Sequence, residues 1–167
     1  MRAVQLAADR AVMLVRDHLI AAAPGSRVHD VQQDPRFQHR GVDLLWERGD
    51  EILGVEVKGD RQGRRQNFFF ELVSNLEKNT PGCFLYSEAH LLAYVLLAEQ
   101  ELHLLPLPAT RAWFLPRAKD FPLKHTRTSL GAQGYTTVGA VVPIREVRAQ
   151  VPGAQWIALT PTAPPKP

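Results

Sequence analysis

The stretch "GVDLLWERGDEILGVEVK", residues 41–58, decides how this chain is read. Its leucines, valines, Trp46 and Ile52 give it the apolar, β-branched character of two strands. Gly49-Asp50 between them forms a two-residue hairpin turn, because glycine supplies the positive φ such turns require. Counting outward from that turn sets the register: Arg48 opposite Glu51, Glu47 opposite Ile52, Leu45 opposite Gly54, and Asp43 opposite Glu56. Side chains alternate along a strand, so Glu56 and Lys58 share one face and Asp43 joins them from across. Two carboxylates and an ammonium therefore converge where the hairpin should carry valine or leucine. Like charges opposite each other cost roughly 0.2–1 kcal/mol at exposed sites, and burial makes this worse. A divalent cation between the carboxylates offsets the repulsion, and magnesium prefers one or two carboxylates while keeping several waters. A lysine beside it can orient or deprotonate a water, or stabilise charge on a phosphate. The same residues also suit a plain polar hairpin face in which Lys58 pairs with Glu56 or Asp43.

The rest of the chain bounds the answer. Its 167 residues suffice for one domain with a real core. No apolar run reaches the eighteen or so residues that span a bilayer, and "MRAVQLAADRAVMLVRDHLI" is charged throughout, so neither a membrane partner nor a secretory signal is expected. The single cysteine, Cys83, excludes an internal disulfide framework and a cysteine zinc cluster and fits a cytoplasmic location. In "TPGCFLY" it reads as an ordinary core cysteine in a turn that enters a strand. The net charge of +3 permits a nucleic-acid partner without demanding one. The basic residues cluster at "RFQHR" (36–40), "KGDRQGRR" (58–65) and "KHTR" (124–127).

Periodicity predicts a helix over 2–22, closed by Pro24-Gly25. A strand in "SRVHDVQQ", a polar loop in "DPRFQHRG", and the two hairpin strands follow. Beyond an arginine-rich loop, "QNFFFELVS" reads as a strand. A later hairpin turns at "AEQE", and a short helix lies in "PATRAWFLPRA". Residues 118–137 read as irregular, and "VGAVVPIREVRAQV" reads as a strand with Pro143 at an edge or an end. The fold class is α/β on a central mixed sheet, with a domain over 1–150 and a proline-rich tail over 151–167.

"VD" at 42–43 and "EVK" at 56–58, after an N-terminal helix, resemble the PD-(D/E)XK nuclease superfamily of restriction-endonuclease-like enzymes. Holliday-junction resolvases, many restriction enzymes and a class of homing endonucleases look like this. The resemblance implies an α-β-β-β-α-β core and a metal-dependent endonuclease that hydrolyses DNA phosphodiester bonds. It implies Mg2+ or Mn2+ held by Asp43, Glu56 and the backbone carbonyl of Val57, with Lys58 assisting the attacking water. Val42 replaces the proline usual before the aspartate, and the first-helix glutamate of many members has Asp9 as its nearer equivalent here. "RRQNFFFELVS" resembles a bacterial and phage subgroup through Asn67 and Glu71, which makes Glu71 a further candidate; His90 stands where that subgroup carries aspartate. Arg61, Arg64 and Arg65, with His39 and Arg40 ahead of Asp43, are candidates to grip phosphates. The implied partner is duplex or branched DNA. A homodimer would place two sites on two strands. The alternatives are the same chemistry on RNA, an inactive nucleic-acid-binding module of the same fold, and a structural or partner-binding protein.

Overall fold

The computed structural model describes residues 2–61, 66–130 and 133–159. Helix α1 (Arg2–Ala22) forms where the sequence places it, and Ala11, Val15 and Leu19 at helical spacing are fully buried. Gly25, at φ +86°, turns the chain into β1 (Arg27–Asp30). The strands β2 (Leu44–Arg48) and β3 (Glu51–Asp60) make the expected hairpin around Gly49, whose φ is +61°. Strands β6 (Leu91–Leu96) and β7 (Glu101–Pro106) make the second one. With β10 (Gln155–Ala158) they complete a six-stranded sheet in the order β1-β2-β3-β6-β7-β10, antiparallel throughout except for the parallel pair β3–β6. The fold is therefore α/β with a mixed central sheet.

That sheet has two covered faces. Val55 and Val57 of β3 and Ala93 and Val95 of β6 pack with α1, while Leu92, Tyr94 and Leu96 of β6 belong to a second core on the opposite face. Burial on both faces explains why "LLAYVL" reads as one unbroken apolar run. The second core is covered by another sheet, which the sequence does not suggest: β5 (Thr80–Pro81), β4 (Asn67–Asn75), β9 (Gln133–Pro143) and β8 (Leu123–Leu130), antiparallel in that order. Phe68 and Phe70 of β4 point into this core beside Tyr94, Phe84 and Phe114, with ring centroids 4.2–5.7 Å apart. The crossover from β3 to β6 thus runs through β4, β5 and the short helix α3 (Cys83–Tyr86).

Several local expectations are corrected. Residues 118–137 are not irregular. They hold the end of a 3-10 helix (Leu115–Asp120), then β8 and the start of β9. The polar loop at 34–41 holds a helical turn, α2 (Pro35–Gln38), whose N-cap Asp34 accepts the Arg36 N–H at 2.9 Å with proline in the first turn. "VGAVVPIREVRAQV" is strand only as far as Pro143; Ile144–Gln150 forms helix α5. Helix α4 (Leu107–Phe114) lies where the short helix was expected. Beyond residue 150, β10 pairs with β7, so the sheet takes in part of the segment expected as tail. No helix among the described residues is long and apolar enough to cross a membrane.

Candidate functional site

The β2–β3 register is the one the turn dictates, with Arg48 opposite Glu51, Leu45 opposite Gly54 and, at the far end, Leu44 opposite Val55. Asp43 stands one residue before β2. Its N–H donates to the Val55 carbonyl at 2.9 Å, and its side-chain Oδ2 accepts the Val57 N–H at 2.7 Å. The carboxylate is thereby fixed against the backbone between Glu56 and Lys58. Burial pushes the Asp43 pKa above the ordinary carboxylate range. The Val57 hydrogen bond and Lys58 work in the other direction. Glu56 is pushed further, to about 8, first by burial and then by the charge of Asp43. At neutral pH an uncompensated Glu56 keeps its proton.

The opposite wall of this site comes from the crossover. Lys58 Nζ donates to Glu71 Oε2 at 3.1 Å, so the lysine's partner is a β4 carboxylate and not Glu56 or Asp43. Glu71 sits where the pairing of β4 with β9 shifts between Glu71 and Val73, a bulge of the kind that re-aims a side chain. Gly82 packs so closely on that backbone that a Cβ there would lie 2.3 Å from the Glu71 carbonyl oxygen. This approach brings Cys83, the first residue of α3 and not a strand residue, beside Glu56, close enough for each to shift the other's pKa. Arg111 of α4 fixes the helix by donating to the Phe84 and Ser87 carbonyls, each at 2.6 Å. Burial pushes the Cys83 thiol up to about 12, which makes it a proton donor and not a nucleophile. Burial also opposes the charge on Lys58, but Cys83, Glu71 and Tyr94 around it outweigh that and raise its pKa. Lys58 is therefore a fixed cation. A small cavity of about 10 Å³ is lined by Glu56, Lys58, Glu71, Cys83, Tyr94 and the phenylalanines. That is at the lower limit for a single water, about 10–15 Å³. Past Lys58 and Glu71 the site opens into a cleft of about 540 Å³ between β3 and the second sheet.

The other candidates separate cleanly. Asp9 does not join the site: α1 packs on the Val55–Val57 face, away from Glu56, and the exposed Asp9 carboxylate accepts a hydrogen bond from Gln5 at 2.8 Å. Glu71 does join it. The Val57 side chain packs toward α1, leaving only its backbone available. His39 is exposed and bonded through Nδ1 to the Pro35 carbonyl; Arg40 is paired with Glu88 at 2.7 Å. Arg61 lines the cleft, and Arg64 and Arg65 lie outside the described residues. His90 plays a structural part, since its Nδ1 accepts the Gly54 N–H at 2.9 Å. Sequence reasoning missed Cys83, which reaches the site through packing alone, and Tyr94. Tyr94 was detectable in principle, because it lies opposite Lys58 in the β3–β6 register.

Among the described residues no group of three or more His, Cys, Asp or Glu side chains is gathered as a metal cage. The donors present still suit a hard cation: two carboxylates, one of them buried beside a like charge, with the nearest ammonium already engaged by Glu71. Comparison with protein-family models, curated proteins and solved structures finds no match to this chain.

Proposed function

We propose that this protein is a divalent-metal-dependent nuclease that hydrolyses DNA phosphodiester bonds. One observation carries the reading. Asp43 and Glu56 stand close enough for the charge of one to raise the pKa of the other, and Lys58 on the same patch opens to a cleft. The order of elements supports it: a helix, three antiparallel strands, a crossover containing a short helix, and a strand parallel to the third, as in a restriction-endonuclease-like core. Asp43 and Glu56 would hold Mg2+ or Mn2+, with the Val57 carbonyl as a backbone ligand. When bound, such an ion neutralises the scissile phosphate and acidifies the attacking water. The chain's own residues do the rest. Asp43 is held in place by the Val57 N–H. Glu56 would have to release its proton to serve as a ligand. Lys58, kept charged by its surroundings, stabilises charge on the phosphate and does not act as a base. Glu71 acts through Lys58 as a positioning residue.

The test is a panel of matched single-stranded, duplex and branched DNA and RNA, incubated with magnesium, manganese or chelator. Wild type should cut DNA only with metal. Lys58→Ala should still bind DNA and lose cleavage, because the interaction is felt in the transition state. A second reading rests on the Lys58–Glu71 ion pair: a nucleic-acid-binding module whose charges satisfy one another. Failure of wild type to cut any of the panel with either metal would leave that reading standing; cleavage of RNA alone would change the substrate and keep the chemistry.

A further inference from the structure

The cleft beyond Lys58 has a second wall that a nuclease core does not require. Lys124, Thr126 and Thr128 of β8 line it, and their register partners on β9 are Gly139, Thr137 and Tyr135. The intervening β8 residues face away; Arg127 there pairs with Glu77 at 3.6 Å. The cleft face of β8 is thus built of threonine and lysine, all exposed, where a strand covering a core would be apolar. Thr126 and Thr137 hydroxyls donate to backbone carbonyls at 3.5 and 3.1 Å. Among the described residues, the Lys124 ammonium, the Thr128 and Tyr135 hydroxyls and the Arg61 guanidinium engage no partner, and all four line the cleft. Gly139 leaves room for an aromatic ring: a Cβ there would lie 2.4 Å from Phe69 Cζ, so the half-buried Phe69 occupies the space of the missing side chain at the cleft floor.

We propose that this β8–β9 face, with Phe69 and Arg61, seats a single nucleic-acid strand that runs over it to Lys58. The proposal rests on the nuclease reading for its direction, and deepens it by naming the substrate class. Three features select a single strand. A cleft of about 540 Å³ is of the size that encloses one small ligand, roughly 300–1,000 Å³, and takes the base, sugar and phosphate of one strand but not a duplex. Tyr135 and Phe69 bring aromatic rings to the cleft, a kind of group that bases of a single strand can stack on and paired bases cannot. Threonine and tyrosine hydroxyls with Lys124 and Arg61 are the groups that hold phosphate and sugar without reading sequence.

The test measures binding in chelator, so that it is independent of cleavage. Fluorescence anisotropy compares a labelled DNA strand, the same sequence as RNA, and a blunt DNA duplex. Wild type should bind one or both single strands more tightly than the duplex, and the better of the two names the sugar. Tyr135→Leu, which keeps an apolar side chain in the strand, should weaken single-strand binding about tenfold through the lost stack. Lys124→Gln should weaken it and lower the slope of log affinity on log salt by about 0.7. Arg127→Gln, which removes one charge from the other face of the same strand, should leave affinity unchanged. Tighter binding of the duplex, equal losses from Lys124→Gln and Arg127→Gln, or no loss from Tyr135→Leu would each overturn the proposal, and no loss from any of the three would show a hydrated sheet edge that merely resists aggregation. Wild-type cleavage beside unaltered variant binding would remove this platform and keep the nuclease. Intact, face-specific binding without cleavage under any metal would do the reverse.

Discussion

Replacing Glu56 by glutamine puts a number on the buried carboxylate. Burial and the charge of Asp43 move its pKa from 4.5 to about 8. That interval, at about 1.4 kcal/mol per pH unit, corresponds to about 5 kcal/mol between the two protonation states. The folded protein holds this proton to higher pH than the unfolded chain does. The stabilisation is therefore complete below about pH 4.5 and is lost as pH rises to about 8. Glutamine keeps the shape and the protonated-like state at every pH. Asp43 titrates in both proteins and cancels from their difference to first order. Urea unfolding in chelator at pH 5 to 9 should show wild type losing about 4 kcal/mol relative to Glu56→Gln across that window. Water drawn into the small cavity would reduce the loss without changing its sign. At pH 8, manganese at a hundredfold excess over its Kd should return about 2.7 kcal/mol to wild type and far less to the variant. A difference between the two proteins that stays flat from pH 5 to 9 would falsify the reasoning, because Glu56 would then ionise like an exposed carboxylate.

Two further substitutions test the geometry around it. Asp43→Asn keeps an acceptor for the Val57 N–H and removes a charge next to Glu56. In chelator it should therefore be as stable as wild type or up to about 1 kcal/mol more so. Asp43→Ala strands that N–H and should lose about 1–3 kcal/mol; identical urea midpoints for the two variants would show that the hydrogen bond is not made. Lys58→Met leaves Glu71 without its cation in a site where the lysine is 30% and the glutamate 17% exposed. Partial hydration places the cost at about 2 kcal/mol, below the 3–5 kcal/mol of a fully buried pair. Adding Glu71→Gln should recover most of it, and a double-mutant cycle without coupling would exclude the pairing.

The legible part of this fold is the part governed by local rules. Alternation and a glycine turn were enough to give the β2–β3 register pair by pair, and 3.6-residue periodicity gave α1 its bounds. The second sheet escaped because its outer strand breaks the assumption behind strand reading. In "LKHTRTSL" the described side chains of both faces are exposed, so there is no apolar alternation to see, only threonines whose β-branching suits a strand in either orientation. Its partner β9 carries Gly139 in mid-strand, ordinarily a weakening signal, whose purpose appears only once Phe69 from a strand some seventy residues away lies over it. The same division runs through the candidate site. Asp43, Glu56 and Lys58 sit on one hairpin, and their convergence follows from a count of residues. Glu71 and Cys83 come from the crossover, and their arrival depends on a bulge at Glu71 and on Gly82 letting α3 close against β4. Those two residues bear on what the hairpin leaves open. With Glu71 engaging the ammonium, Lys58 only partly offsets the charges of Asp43 and Glu56, and the Cys83 thiol supplies no charge. The hairpin's negative charge is left to be balanced by a proton on Glu56 or by a cation, and the proposed metal site rests on that competition.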